Sequence, residues 1–130
     1  MKSLLASLSL LLMLAPAPAL AQASRAVEAL SLAAAQGNAK AQFSLGVRYF
    51  SGIGVPQDRS RAVQLYRLAA EQGYADAQYN LGLMYFTATV LEKDTEQAKF
   101  WLALAAQNGN TTAAAVMRKY FPSSTSTQAQ

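Results

Sequence analysis

Residues recur along this chain at a fixed interval of 36 positions. Gly37, Gly73 and Gly109 are evenly spaced, and so are Ala41, Ala77 and Ala113. Leu45-Gly46 returns as Leu81-Gly82, Tyr49 as Tyr85, and Ala62 with Ala69-Ala70 as Ala98 with Ala105-Ala106. The phase extends backwards, because Ser24-Arg25-Ala26-Val27 returns as Ser60-Arg61-Ala62-Val63. A fixed period of this size marks stacked supersecondary units, each of which buries its apolar face only against its neighbours. Such stacks expose a long side face, and a partner is the usual occupant of that face.

The start of the chain is expected to lie outside the stack. Lys2 supplies a positive charge, Leu4 to Leu14 is an apolar run, Pro16 and Pro18 break it, and Ala19-Leu20-Ala21 has the small-residue form of a cleavage site. This order predicts a secretory signal peptide over residues 1–21, cut after Ala21. The run is too short for a membrane span, which takes about 20 apolar residues. The expected product is exported, periplasmic or secreted, with no stable membrane insertion. The remainder is one domain with a modest core. Cysteine and histidine are both absent, so packing alone must hold the fold, and metal sites built on those ligands are excluded. The net charge of +4 falls by one when Lys2 is removed, and the basic residues are scattered. A nucleic-acid footprint needs clustered cations, so no nucleic-acid partner is expected.

Each unit predicts two short helices. Ala41, Leu45 and Tyr49 share one helical face, Asn38 can cap the start, and Gly46 leaves a gap through which a neighbouring helix can approach. Residues 51–57 hold two glycines and a proline and break the helix. Asp58 caps the second helix, whose inner face is Ala62, Tyr66, Ala69 and Ala70, and Gly73 ends it. The next unit repeats the plan, with Asp94 and Gln97 forming a capping box. Its connecting loop, 87–93, lacks glycine and proline, and a weaker, partly helical break is expected there. The connection between units is short, so neighbouring helices run antiparallel. Both ends are partial. Residues 24–37 match only a second helix and 110–121 only a first, with Arg118 where the close-contact glycine would be, as expected of a terminal cap. The repeat domain is therefore 22–121, with full repeats at about 38–73 and 74–109, and 122–130 is expected to be a disordered polar tail. The count is six helices.

The pattern A-x-x-x-L-G-x-x-Y, G-x-G-V-x-x-D, A-x-x-x-Y-x-x-A-A-x-x-G resembles the Sel-1-like repeat, a relative of the tetratricopeptide repeat. It is carried by Ala41, Leu45-Gly46, Tyr49, Gly52, Gly54-Val55, Asp58, Ala62, Tyr66, Ala69-Ala70 and Gly73. The second copy keeps Ala77, Leu81-Gly82, Tyr85, Asp94, Ala98, Ala105-Ala106 and Gly109, places Trp101 at the family's aromatic position, and departs from the glycines at Ala88 and Val90. The resemblance implies an all-α fold, a right-handed α/α superhelix of about three helix pairs. It also implies an adaptor that holds protein partners rather than an enzyme. Some secreted bacterial relatives staple each hairpin with a disulfide, which this chain cannot do.

In such a stack the first helix of each pair lines the concave face. Leu45, Gly46 and Tyr49 face the stack, which leaves Lys40, Phe43, Val47 and Phe50 on the first unit and Asp76, Tyr79, Leu83 and Phe86 on the second as candidate partner-binding residues. One period separates Phe43 from Tyr79 and Phe50 from Phe86, so stacking is expected to set them side by side as an aromatic strip. The competing reading places these aromatics in the core between helices. The leading function is an exported adaptor that anchors a protein or peptide on this strip, with Lys40, Arg48 and Asp76 tuning register. The alternatives are a self-associating homo-oligomer, an envelope component binding a cell-wall polymer such as peptidoglycan, and, last, a hydrolase. The chain has no histidine base or cysteine nucleophile and no phosphate-binding glycine loop, and no catalytic residue, cofactor or metal is assigned.

Overall fold

The computed structural model describes residues 18–123. The apolar run and most of the expected signal segment (residues 1–17) lie outside the described residues, as do residues 124–130 of the expected tail. The described chain forms six α-helices: α1 (Pro18–Ala35), α2 (Ala39–Ser51), α3 (Arg59–Glu71), α4 (Ala75–Thr87), α5 (Thr95–Gln107) and α6 (Thr111–Tyr120). They stack as α1, the hairpin α2–α3, the hairpin α4–α5, and α6, each helix packing on the next in the chain. The result is a right-handed α/α superhelix. α1 is continuous through Ala21.

The turns between units carry the register. At Gln72-Gly73-Tyr74 the Gly73 N–H donates to Ala70 O at 3.0 Å and the Tyr74 N–H to Ala69 O at 3.1 Å. This is a Schellman motif, which needs a left-handed residue, and Gly73 has φ of 89°. The same pair of bonds recurs at Gly37-Asn38 and Gly109-Asn110. Asn38 and Asn110 then cap the next helix, accepting from Ala41 N at 2.9 Å and Ala113 N at 2.7 Å. One residue thus ends one helix and starts the next, which fixes the antiparallel crossing. Tyr74 caps α4 without a side-chain bond, and its ring packs on Phe43 instead, 5.2 Å between centroids.

Within each hairpin the glycine gap is real, and it admits the second helix of the same pair. A Cβ on Gly46 would sit 2.8 Å from the Tyr66 ring, and one on Gly82 would sit 2.8 Å from Leu102 Cγ and 3.1 Å from the Leu102 backbone nitrogen. Ala62, Ala69, Ala77, Ala98, Ala105 and Ala113 are fully buried, so small side chains are what allow the helices to lie close. Leu81 and Leu102 fill the largest sealed positions, each contributing about 1.5–3 kcal/mol of burial. Trp101 is buried against the same core, with its indole N–H lacking a protein acceptor, which offsets part of its packing gain.

Between units the structure adds a feature that periodicity alone did not reveal. Gln42 is buried and donates to Ala34 O at 3.2 Å, while accepting from the Gln72 side chain at 2.7 Å. One period on, Gln78 is buried, donates to Ala70 O at 3.0 Å and accepts from Asn108 at 3.0 Å. Each glutamine therefore ties the end of the preceding second helix to the end of the following one. Ala114 stands at the third position, so the ladder stops at α6.

The two hairpin loops close alike despite their different sequences. Asp58 N–H donates to Tyr49 O at 2.8 Å, and Asp94 N–H to Tyr85 O at 3.2 Å. That second bond corrects the expected capping box: Gln97 N donates to the Asp94 carboxylate at 3.0 Å, but the Asp94 N–H is taken by Tyr85 and not by the Gln97 side chain. The loop is not partly helical either. Ala88 takes the left-handed conformation of Gly52, with φ of 56° against 72°, and α4 stops there. Val90 replaces Gly54 without a positive φ and packs on the core. An alanine in this region is strained, so Ala88→Gly is expected to raise stability by about 1 kcal/mol, read as a higher urea midpoint with unchanged slope.

Candidate functional site

Two pockets open along one side of the stack, and they are the same pocket one period apart. The first, about 690 Å³, lies between α1 and α2 and includes Leu30, Ser44, Val47, Arg48 and Ile53 in its lining. The second, about 310 Å³, includes Tyr66, Asn80, Leu83, Met84 and Thr89. Adding the repeat length to each residue of the first set gives the second. Phe43 borders the first pocket, and Phe50 walls the second, so α2 contributes to both. The floors come from the second-type helices α1 and α3, and the walls from the first-type helices α2 and α4.

The expected strip is distributed unevenly over this surface. Phe43 and Val47 line the first pocket, and Phe50 and Leu83 line the second. Lys40 is exposed near the start of α2. Asp76 is exposed in the first turn of α4 and accepts from Asn110 Nδ2 at 2.9 Å. Tyr79 packs toward the cluster of Leu102, Ala105 and Ala113, and Phe86 lies against Tyr120 and Phe121 at ring distances of 5.2 and 5.6 Å. Neither is in a pocket lining. The aromatic residues do not sit in like pairs: the ring partners of Phe43 are Tyr66 at 5.6 Å and Tyr74, not Tyr79. The reason is rotational. The pocket-lining stripe on α4 is Asn80, Leu83, Met84 and Thr87, one position round the helix from the stripe Asp76, Tyr79, Leu83 and Phe86. The residues missed from sequence, Leu30, Ser44, Ile53, Asn80, Met84, Thr87 and Thr89, come from that rotation and from the floor helices. Matching polar and apolar positions between the copies would have pointed to most of them.

The charges around the pockets are cationic. Arg48 lines the first pocket, and its Nη1 donates a long bond of 3.5 Å to Ile53 O. Arg59 lies over the Phe50 ring at 5.3 Å and Arg61 over Tyr49 at 4.6 Å. Among the described residues no carboxylate lines either pocket. Tyr66, on the floor of the second, has its phenol raised above the ordinary value of 10.0 by burial, partly opposed by a hydrogen bond with Asn80. A raised phenol pKa leaves stability unaffected below the unfolded value, where both states are protonated, and lowers it as pH climbs through the folded value. Tyr66→Phe should therefore remove part of the alkaline loss above about pH 10 while leaving the neutral-pH slope unchanged, measured by urea unfolding across that range.

Among the described residues no cluster of acidic side chains is arranged to hold a metal ion, and no helix is long and apolar enough to cross a membrane. Comparison with known proteins agrees with the geometry: the Sel1 repeat profile matches residues 39–74 and 75–110, more than half of the chain. The chain belongs to the Sel1 repeat family. The structure is similar to that of a Sel1 repeat protein from Oxalobacter formigenes, at 35% identity and a TM-score of 0.72, covering 75% of this chain and 40% of that one. It is also similar to a protective antigen of uropathogenic Escherichia coli displaying the same repeat fold, at 41% identity and a TM-score of 0.65, covering 70% of this chain and 20% of that one. This Sel1 repeat chain thus spans less than half the length of either structure. No curated protein sequence matches it. Sel1 repeats form non-enzymatic scaffolds that generally mediate protein–protein interaction.

Proposed function

We propose that this Sel1 repeat protein is an exported adaptor, periplasmic or secreted, that binds a polypeptide along the paired pockets of α2 and α4. The observation that carries this reading is the repetition of one largely apolar pocket in register on successive units. Repetition at fixed spacing suits a ligand that is itself a repeating chain, and the aromatic and aliphatic walls supply anchoring area. The apolar Leu4–Leu14 run and the Ala19-Leu20-Ala21 site support export. The test is capture of crosslinked partners from periplasmic extract by the native protein and by Val47→Glu plus Leu83→Glu. Both positions are only half-buried, so the double variant is expected to keep its helical circular dichroism and lose capture. Unchanged capture by the folded variant contradicts the reading.

A second reading, self-association, is favoured by one observation. α1 is a second-type helix whose own hairpin partner is not among the described residues, and Leu32, beyond the proposed cut, stands 65% exposed on it. Light scattering over a concentration series separates the two: a constant monomer mass excludes self-association.

A further inference from the structure

The two pockets share five equivalent lining positions but differ in size and charge, and the difference in charge specifies a ligand more narrowly than the groove reading on which it rests. Val47 and Leu83 occupy equivalent positions and make both pockets receptive to an apolar side chain. At the neighbouring position the copies diverge: Arg48 lines the first pocket where Met84 lines the second. Among the described residues the Arg48 guanidinium has no acidic partner. The ion pair found among the described residues is Lys99 with Glu96, both on α5. A half-buried guanidinium in an apolar groove, with its fork of donors nearly unused, is matched by a carboxylate.

The spacing follows from the stack. α2 and α4 both pack on α3 rather than chiefly on each other, so their axes lie at least about 8–10 Å apart, while an extended chain advances about 3.3 Å per residue. Two apolar side chains must therefore stand at least about three positions apart to reach both pockets. We infer that the groove takes an extended acidic–apolar peptide: two aliphatic side chains at least three residues apart seat beside Val47 and Leu83, with an aspartate, glutamate or terminal carboxylate paired to Arg48.

The probes are fluorescein-labelled Gly/Ser dodecapeptides carrying two leucines three, four or five positions apart and one glutamate next to the first. Two control peptides replace the glutamate by glutamine or set the leucines adjacent. Binding to the purified protein is read by fluorescence anisotropy. The glutamate peptide is expected to bind about tenfold more tightly than the glutamine peptide, as one charge-assisted contact implies, and the advantage should shrink with added salt. Arg48→Gln should abolish that advantage, leaving the glutamate and glutamine peptides bound alike. Arg48→Glu should reverse the preference toward a lysine peptide, which a folding defect could not do. Moving the leucines together should weaken binding in every background. Equal affinity of the glutamate and glutamine peptides, with both lost in Leu83→Glu, overturns the inference and leaves the groove reading standing. No binding by any peptide also overturns it, and the groove reading is then decided separately by the capture experiment.

Discussion

Gly82→Ala is expected to destabilise the protein by about 2 kcal/mol, although alanine is the better helix former by about 1 kcal/mol. The new methyl would lie 2.8 Å from Leu102 Cγ and 3.1 Å from the Leu102 backbone nitrogen. Leu102 is fully buried and cannot swing aside, and the backbone beneath it belongs to α5. Relief requires α4 and α5 to separate, and overpacking of that kind costs about 1–3 kcal/mol. The same change at Gly46 meets the edge of the Tyr66 ring and Leu65 Cβ, with no backbone atom among its nearest contacts. It should cost less. Scanning calorimetry of both variants gives the order directly. A domain of this size loses about 4–8 °C per kcal/mol, so a fall of about 10 °C is expected for Gly82→Ala. A neutral result would mean the hairpin is looser than the contact distances state.

Gln78→Met is expected to cost about 2 kcal/mol despite placing a more apolar side chain of similar length in a buried site. The substitution removes the bond to Ala70 O and the bond from Asn108, each worth about 1 kcal/mol net. The loss stays near that value because the Ala70 carbonyl keeps the Gly73 N–H and is not left orphaned. Gln42→Met should behave alike, since Ala34 O keeps the Gly37 N–H. The two effects should nearly add, because the sites share no partner. Urea unfolding of the single and double variants tests this. A rise in stability would show that apolar transfer outweighs the glutamine bonds at the unit junctions.

Most of the fold was legible because its determinants are local and repeated. Asn38, Asp58, Asp94, Asn110 and the three turn glycines act within a few residues of themselves, so their spacing alone set the helices. Gly46 and Gly82 announced a close contact, though not that the visitor was the second helix of the same hairpin. The loop at 87–93 misled because Ala88, which carries a side chain, adopts a glycine conformation. The pockets were only partly legible. Val47 and Leu83 follow from helical spacing, but the floor residues Leu30 and Tyr66 belong to other helices, and the choice between Tyr79 and Asn80 turns on a rotation of one residue. The glutamine ladder was present in the repeat all along as Gln42 and Gln78. It went unread because a polar residue on an apolar face declares its role only when its partners, 30 residues away in sequence, are placed.

The central claim is that a polypeptide lies along the pockets of α2 and α4. A photoreactive phenylalanine analogue placed singly at Val47, Leu83, Gln64 and Phe100 tests it most directly. The first two positions line the groove, and the last two are exposed on the outer helices α3 and α5. The account predicts one common polypeptide adduct from positions 47 and 83 and none from 64 and 100. Adducts from the outer positions alone would contradict it.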